Sequence, residues 1–169
     1  PRVRRQRQMC IRDRYICHCS GACTAEEAFP GIHAQGAYAI SIHLLFPISS
    51  KYNCWRELAG AFFCVEGDAQ AVEVFVPLLC GLGLQVQTIS PESKAQYHLS
   101  CALASNFVCA LVQRSAELLG GCGFSQTDAL HALAPLMRSN LAHVIEHGAV
   151  SALTGPIERG DTQTVQKHL

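Results

Sequence analysis

Charge is what this sequence has least of. Only 15% of its 169 residues are Asp, Glu, Lys or Arg, and the two signs cancel at 13 each. A chain without net charge offers no overall field for nucleic acid. Tryptophan occurs once and methionine twice. No uninterrupted run of about 18 or more apolar residues is present, so no membrane span is expected. No G-x-G-x-x-G follows a strand-like run either. Gly81-Leu82-Gly83 and Gly121-Cys122-Gly123 both lack the third glycine, and both lie at helix ends. A phosphate-cradling turn of that kind is therefore missing from these residues. The C-x-C-x3-C spacing of Cys17, Cys19 and Cys23, with His18 among them, matches no common zinc pattern. No metal site is expected.

What is abundant is apolar surface and cysteine. The chain is 49% hydrophobic and holds ten cysteines. Most sit inside apolar runs such as AFFCVEG and PLLCGLG, where a free thiol behaves as a small hydrophobe. The expectation is a reduced, cytoplasmic protein. The zero net charge hides an asymmetry: residues 1–14 carry a net +5 and the rest a net −5. PRVRRQRQMCIRDR has no apolar period. It reads as a non-native or disordered basic segment set apart from the fold, with a basic arm for RNA or DNA as the alternative.

From Tyr15 onward the elements alternate. Tyr15–Cys19 reads as a buried strand, and Thr24 can cap a short helix over Ala25–Ala28. Ala37–His43 and Ala61–Glu66 read as strands, with an irregular connection over 51–60 around Trp55. Asp68 should cap a helix from Ala69 to about Leu82, with Val72, Phe75, Val76 and Leu79 on one face. Leu84–Ile89 alternates as a fourth strand. From Ser90-Pro91 onward everything is helical: a long run to Gly120, another from Ser125 to His147 with Pro135 inside, and a start capped by Asp161 that runs out of chain. The expected fold is the end of an α/β domain over 15–90, followed by an incomplete all-α domain over 91–169.

The long helix carries the candidate site. At about 100° per residue, Lys94, His98, Cys101 and Ser105 share a stripe, with Asn106 on its flank. Leu99, Leu103, Phe107 and Leu111 cover other faces, so the helix reads as buried. Polar groups on a buried helix need partners or a cavity. The plain alternative is a solvated Lys94 in the first turn and a core His98 bonded to a carbonyl.

Four patches then resemble one family: HCSGA at 18–22, IHLLFP at 42–47, K-x-x-Y-H with A-S-N at 94–106, and LTGPIERGD through the final HL at 153–169. In order and spacing they are similar to a Rossmann-type NAD(P)-dependent oxidoreductase with a C-terminal helical domain of unknown function. Its wider superfamily includes pyrroline-5-carboxylate reductase and 6-phosphogluconate dehydrogenase. Leu44 stands where family members have proline after the histidine, so the chain departs from the family pattern in the segment after His43.

The resemblance implies hydride transfer to or from a small substrate with NAD(P), NADP being favoured of the two. It implies a fragment that begins after the glycine-rich turn, and a homodimer formed through the helical domain. It also implies roles. Lys94, His98 and Asn106 would be catalytic, and Ser105, Arg159 and His43 would bind substrate. Ser20 and Gly21, near the end of the first strand, would meet the cofactor. Tyr97 reads equally as core. Arg159 and Asp161 read equally as a turn and a helix cap. The competing function is a non-catalytic dimerisation scaffold built on the same helices.

Overall fold

The computed structural model describes residues 14–168 apart from 49, 53, 54 and 59, with Trp55 described by its backbone alone. The basic segment expected over 1–14 lies outside the described residues except for Arg14, which opens the first strand, β1 (Arg14–His18). There follow α1 (Ala25–Ala28), β2 (Ala37–Leu44), β3 (Phe62–Gly67), α2 (Ala69–Gly81) and β4 (Gln85–Thr88). A short 3-10 turn at Trp55–Leu58 lies in the connection between β2 and β3.

The four strands form one sheet in chain order. β1 and β2 are parallel, β2 and β3 antiparallel, and β3 and β4 parallel. Strand alternation sorts the side chains. Tyr38, Ile40 and Ile42 of β2 share a face with Val65 of β3. Against that face α2 lays Ala71, Val72, Phe75, Val76 and Leu79, closing an apolar core. Ile40, Val65 and Ala71 are fully buried there. Full burial of a Val or Ile side chain is worth about 1.5–3 kcal/mol, so this face holds the sheet together. The opposite face has another character. The register sets Ser41 between His18 and Glu66, and His43 opposite Cys64.

Asp68 occupies the N-cap position of α2 but makes no capping bond. Its carboxylate instead accepts from the Ala39 N–H at 2.6 Å and pairs with His33 at 3.1 Å. The expected cap is replaced by a clasp between β2 and the start of α2. Gly67 permits the approach. Its φ is +147°, and a Cβ there would lie 2.4 Å from the Ala39 carbonyl oxygen, so only glycine fits.

Helix begins again with a 3-10 turn, Pro91–Ser93, and continues as α3 (Lys94–Ala102). A π turn at Leu103–Phe107 leads into α4 (Val108–Gly121). The remainder is α5 (Gln126–His147), α6 (Ala149–Ala152), α7 (Gly155–Glu158) and α8 (Thr162–Gln166). The chain divides into two compact units, one through Phe107 and one over Val108–Leu169. Contacts thus group α3 with the sheet, whereas the change to all-helical structure falls at Ser90-Pro91.

Pro91–Gly121 is long and apolar enough to cross a membrane by length and composition, with mean hydropathy 1.2. No uninterrupted apolar run signals it, because Ser, Gln and Asn are interspersed. Contrary to the buried helix expected, Leu99, Leu103, Phe107 and Leu111 are all at least half exposed. Lys94, in its first turn, is the residue buried in the sheet unit.

Candidate active site

The polar face of the sheet is roofed by α3. Lys94, the first residue of that helix, is 1% exposed, and Glu66 at the end of β3 is 2% exposed. Their charged groups lie 3.8 Å apart. The Lys94 ammonium also donates to Ser41 Oγ at 2.5 Å, and Ser41 donates in turn to the Ser20 carbonyl at 3.2 Å. Glu66 accepts from the Ala25 N–H at 3.0 Å, the first free amide of α1. Thr24 fixes that helix start through a full capping box with Glu27. Four elements therefore converge on one buried ion pair. Each partner is hydrogen-bonded, as a buried charge requires.

One turn further along α3 stand Tyr97 and His98. The Tyr97 hydroxyl lies 2.5 Å from His43 Nδ1, and the His43 and His98 rings are 6.4 Å apart between centres. Gly21 sits beneath both imidazoles. A methyl group on it would come within 2.7 Å of His98 Cδ2 and 2.8 Å of His43 Nε2. The His-Cys-Ser-Gly loop and α3 thus frame a mouth lined by two histidines, with Lys94 and Glu66 behind it. In the same loop Ser20 Oγ accepts from the amides of Ala22 and Cys23, so it holds the loop's own turn.

Burial biases the titration of this cluster. Partial desolvation, reinforced by Lys94 and His98, holds His43 below the usual histidine range. His18, at the end of β1, is lowered by burial and then by Lys94. Burial and the thiols of Cys101 and Cys64 push the Tyr97 phenol well above its ordinary value, so it stays protonated. The Cys64 thiol is raised by burial. A neutral imidazole beside a fixed ammonium can donate and accept protons without itself being ionised at rest.

Of the residues singled out in sequence, Lys94, His98, His43, Ser20 and Gly21 come together here. Ser105 and Asn106 lie exposed in the π turn, where Ser105 Oγ bonds Asn106 Oδ1 at 3.3 Å. A π turn adds one residue to a helical turn, so a uniform 100° projection fails beyond Ala102. Arg159 belongs to the second unit, exposed at the end of α7. Asp161 caps α8 by accepting from the Thr164 amide at 3.0 Å. Sequence reading missed Glu66, Ser41 and Cys64. The signal was present in the alternation A-Y-A-I-S-I-H and F-F-C-V-E-G, which puts Ser41, His43, Cys64 and Glu66 on the face away from the apolar core.

Among the described residues, no group of three or more His, Cys, Asp or Glu is arranged to hold a metal ion. All eight described cysteines are free.

The fold has relatives. The crystal structure of protein TM1727 from Thermotoga maritima matches with a TM-score of 0.73 at 27% identity, over 90% of this chain and 57% of that one. A structure described as "putative NADP oxidoreductase BF3122 from Bacteroides fragilis" matches with a TM-score of 0.71 at 17% identity, over 91% of this chain and 56% of that one. The chain spans a little over half the length of both. No curated protein matches its sequence. The architecture is thus a Rossmann-like α/β part followed by helices, as expected. A family model described as "Domain of unknown function (DUF2520)" matches residues 61–169, which cover the end of the sheet and all the later helices. The chain belongs to that family of domains of unknown function.

Proposed function

We propose that this chain carries the substrate-facing part of an NAD(P)-dependent oxidoreductase acting on a small carbonyl, imine or hydroxy compound. The observation that supports this reading is the buried Lys94–Glu66 pair behind a two-histidine mouth, beside the carboxyl ends of the parallel strands β1 and β2. Ligands of open α/β sheets bind at the carboxyl ends of strands. The solved structure described as a putative NADP oxidoreductase adds support and favours NADP.

The cofactor, when bound, supplies or accepts the hydride. Ser20 and Gly21, in the loop that follows β1, are the residues placed to meet that cofactor. On this reading the pyrophosphate-holding turn lies outside the described residues. The chain's own groups manage the proton and the orientation. Lys94 is the proton-transfer group, linked through Ser41 to the loop under the mouth, and Glu66 keeps its charge compensated. His98 and His43 flank the reacting atoms. Asn106 and Ser105 orient substrate from the π turn. The protein acts in a reducing, cytoplasmic setting, consistent with its free thiols.

A second reading, a dimerisation scaffold, is favoured by the exposed apolar residues of the helices. Steady-state assay of the intact protein with NADPH against small ketones, imines and 2-hydroxy acids separates the two. Lys94→Met is expected to lower kcat by about 10²–10⁴-fold with little change in KM, as for loss of an acid–base group. If no substrate class turns over while the protein remains folded and dimeric, the scaffold reading replaces the enzyme.

A further inference from the structure

His43 is the one imidazole at the mouth with a fixed partner on one nitrogen and none on the other. Nδ1 faces the Tyr97 hydroxyl at 2.5 Å. Nε2 lies at the edge of the ring nearest Gly21 and has no hydrogen bond among the described residues. It is not enclosed either: among those residues, the buried side-chain nitrogen without a partner belongs to His18. The direction of the Tyr97 bond decides what Nε2 carries. A phenol is a better donor than an imidazole N–H, and a neutral imidazole nitrogen is a better acceptor than a phenol oxygen. The favourable arrangement of this 2.5 Å contact therefore has Tyr97 donating to Nδ1. That leaves the hydrogen of His43 on Nε2.

We propose that Tyr97 locks His43 as its Nε2–H tautomer, and that this N–H is the mouth's fixed donor to an acceptor oxygen of the substrate, a carbonyl or carboxylate. Tyr97 is then a positioning residue and His43 the group that touches substrate. A hydrogen bond aimed at a carbonyl oxygen stabilises the charge that grows there as a hydride adds. A neutral imidazole does this without losing its proton to solvent. The groups facing His43 agree with neutrality. Lys94 and His98 on α3 disfavour a second proton on the ring, Cys64 on β3 is held as a thiol by burial, and the Gly21 backbone brings no charge. Glu66 is engaged by Lys94 and Ala25.

The substrate half rests on the oxidoreductase reading; the tautomer half does not. Long-range proton–nitrogen correlation spectra of the uniformly nitrogen-15-labelled chain, recorded above the His43 titration, read the tautomer directly. Protonated Nε2 and bare Nδ1 are expected, and Tyr97→Phe should replace the single form by a mixture. Protonated Nδ1 in the wild type, or an unaltered single form in Tyr97→Phe, overturns the lock. Pyruvate, which offers both kinds of oxygen, is the probe for the second half. A saturable shift of the His43 Nε2–H resonance is expected. It should survive in the side-chain amide of His43→Gln, which keeps a donor near that position, and vanish in His43→Asn. An unchanged resonance throughout the titration overturns the donor role. Turnover of NADPH by the intact protein is measured separately. A wrong tautomer with normal turnover therefore removes this inference alone.

Discussion

Gly21 is small because two imidazoles use the space its side chain would occupy. The nearest atoms are ring atoms at the ends of side chains, so Gly21→Ala can be absorbed by ring movement. Its stability cost should be modest, about 1 kcal/mol, at the low end for overpacking. Any displacement of the His43 ring disturbs its contact with Tyr97. Gly21→Ala should therefore shift the His43 resonances strongly while the melting temperature barely changes. A large drop in melting temperature with intact His43 resonances would contradict the packing described.

Lys94 and Glu66 give the opposite pattern. Removing one partner leaves a buried uncompensated charge, at a cost of about 3–5 kcal/mol. Lys94→Met should melt early, whereas Lys94→Met with Glu66→Gln should recover much of the loss. Denaturant titration of the two variants checks this, and equal destabilisation would show that the pair is not coupled. If the double variant folds but turns over slowly, the lysine's chemical role is separated from its structural one.

Acid should weaken the fold through its histidines. His18 and His43 both bind protons less readily when folded than the ordinary value of 6.5. The unfolded chain therefore takes up more protons as pH falls below about 6.5, and stability falls with it until the folded-state values are passed. Replacing both with glutamine should flatten that part of the profile. An unchanged slope in the double variant would count against the assignment.

At the scale of elements, strand alternation and capping were readable, and long-range partnerships were not. Thr24, Ala25–Ala28 and Gly83 stand out because their signals are local: a cap, a short run and a glycine with φ of 79°. The alternative of a solvated Lys94 was equally compatible with the sequence. Its burial depends on Glu66 and Ser41, at sequence separations that no periodicity encodes. Asp68 takes the expected N-cap position, but its carboxylate finds a better-placed amide on β2 than on its own helix. The stripe along the long helix held over Lys94 and His98 but not past the π turn, whose extra residue leaves no local mark. Thr24→Ala tests the short helix. It should cost about 0.5–2 kcal/mol, read from the urea midpoint, because it removes the cap that aims Ala25 at Glu66. No change would mean that the Glu66 contact alone sets the helix start.

For the whole molecule, the helices leave several large apolar side chains exposed, the raw material of an interaction surface. Leu111 is 68% exposed, Leu136 67% and Ile145 77%. We propose that a second copy of the chain covers them, forming the homodimer expected from the sequence. A stable interface of this kind needs about 1,200–2,000 Å² in total. Leu111→Glu together with Ile145→Glu should shift the sedimentation profile from dimer to monomer while circular dichroism stays unchanged. A wild-type chain that sediments as a monomer at every concentration would sink the idea.

The two faces of the sheet also impose an order on synthesis. A chain leaves the ribosome from its N-terminus, and its segments begin to fold as they emerge. Residues 69–81 follow β3 immediately, so α2 can close the apolar side as soon as it appears. The other side must wait. Glu66 is made well before Lys94, and until that lysine arrives the carboxylate has only the Ala25 amide and water. A nascent chain halted before residue 94 therefore has all four strands but only one covered face, dry beneath and wet above. Its last step is the docking of α3, which also assembles the histidine mouth. Protease protection of stalled chains should rise when Lys94 clears the exit tunnel, and Lys94→Met should abolish that rise.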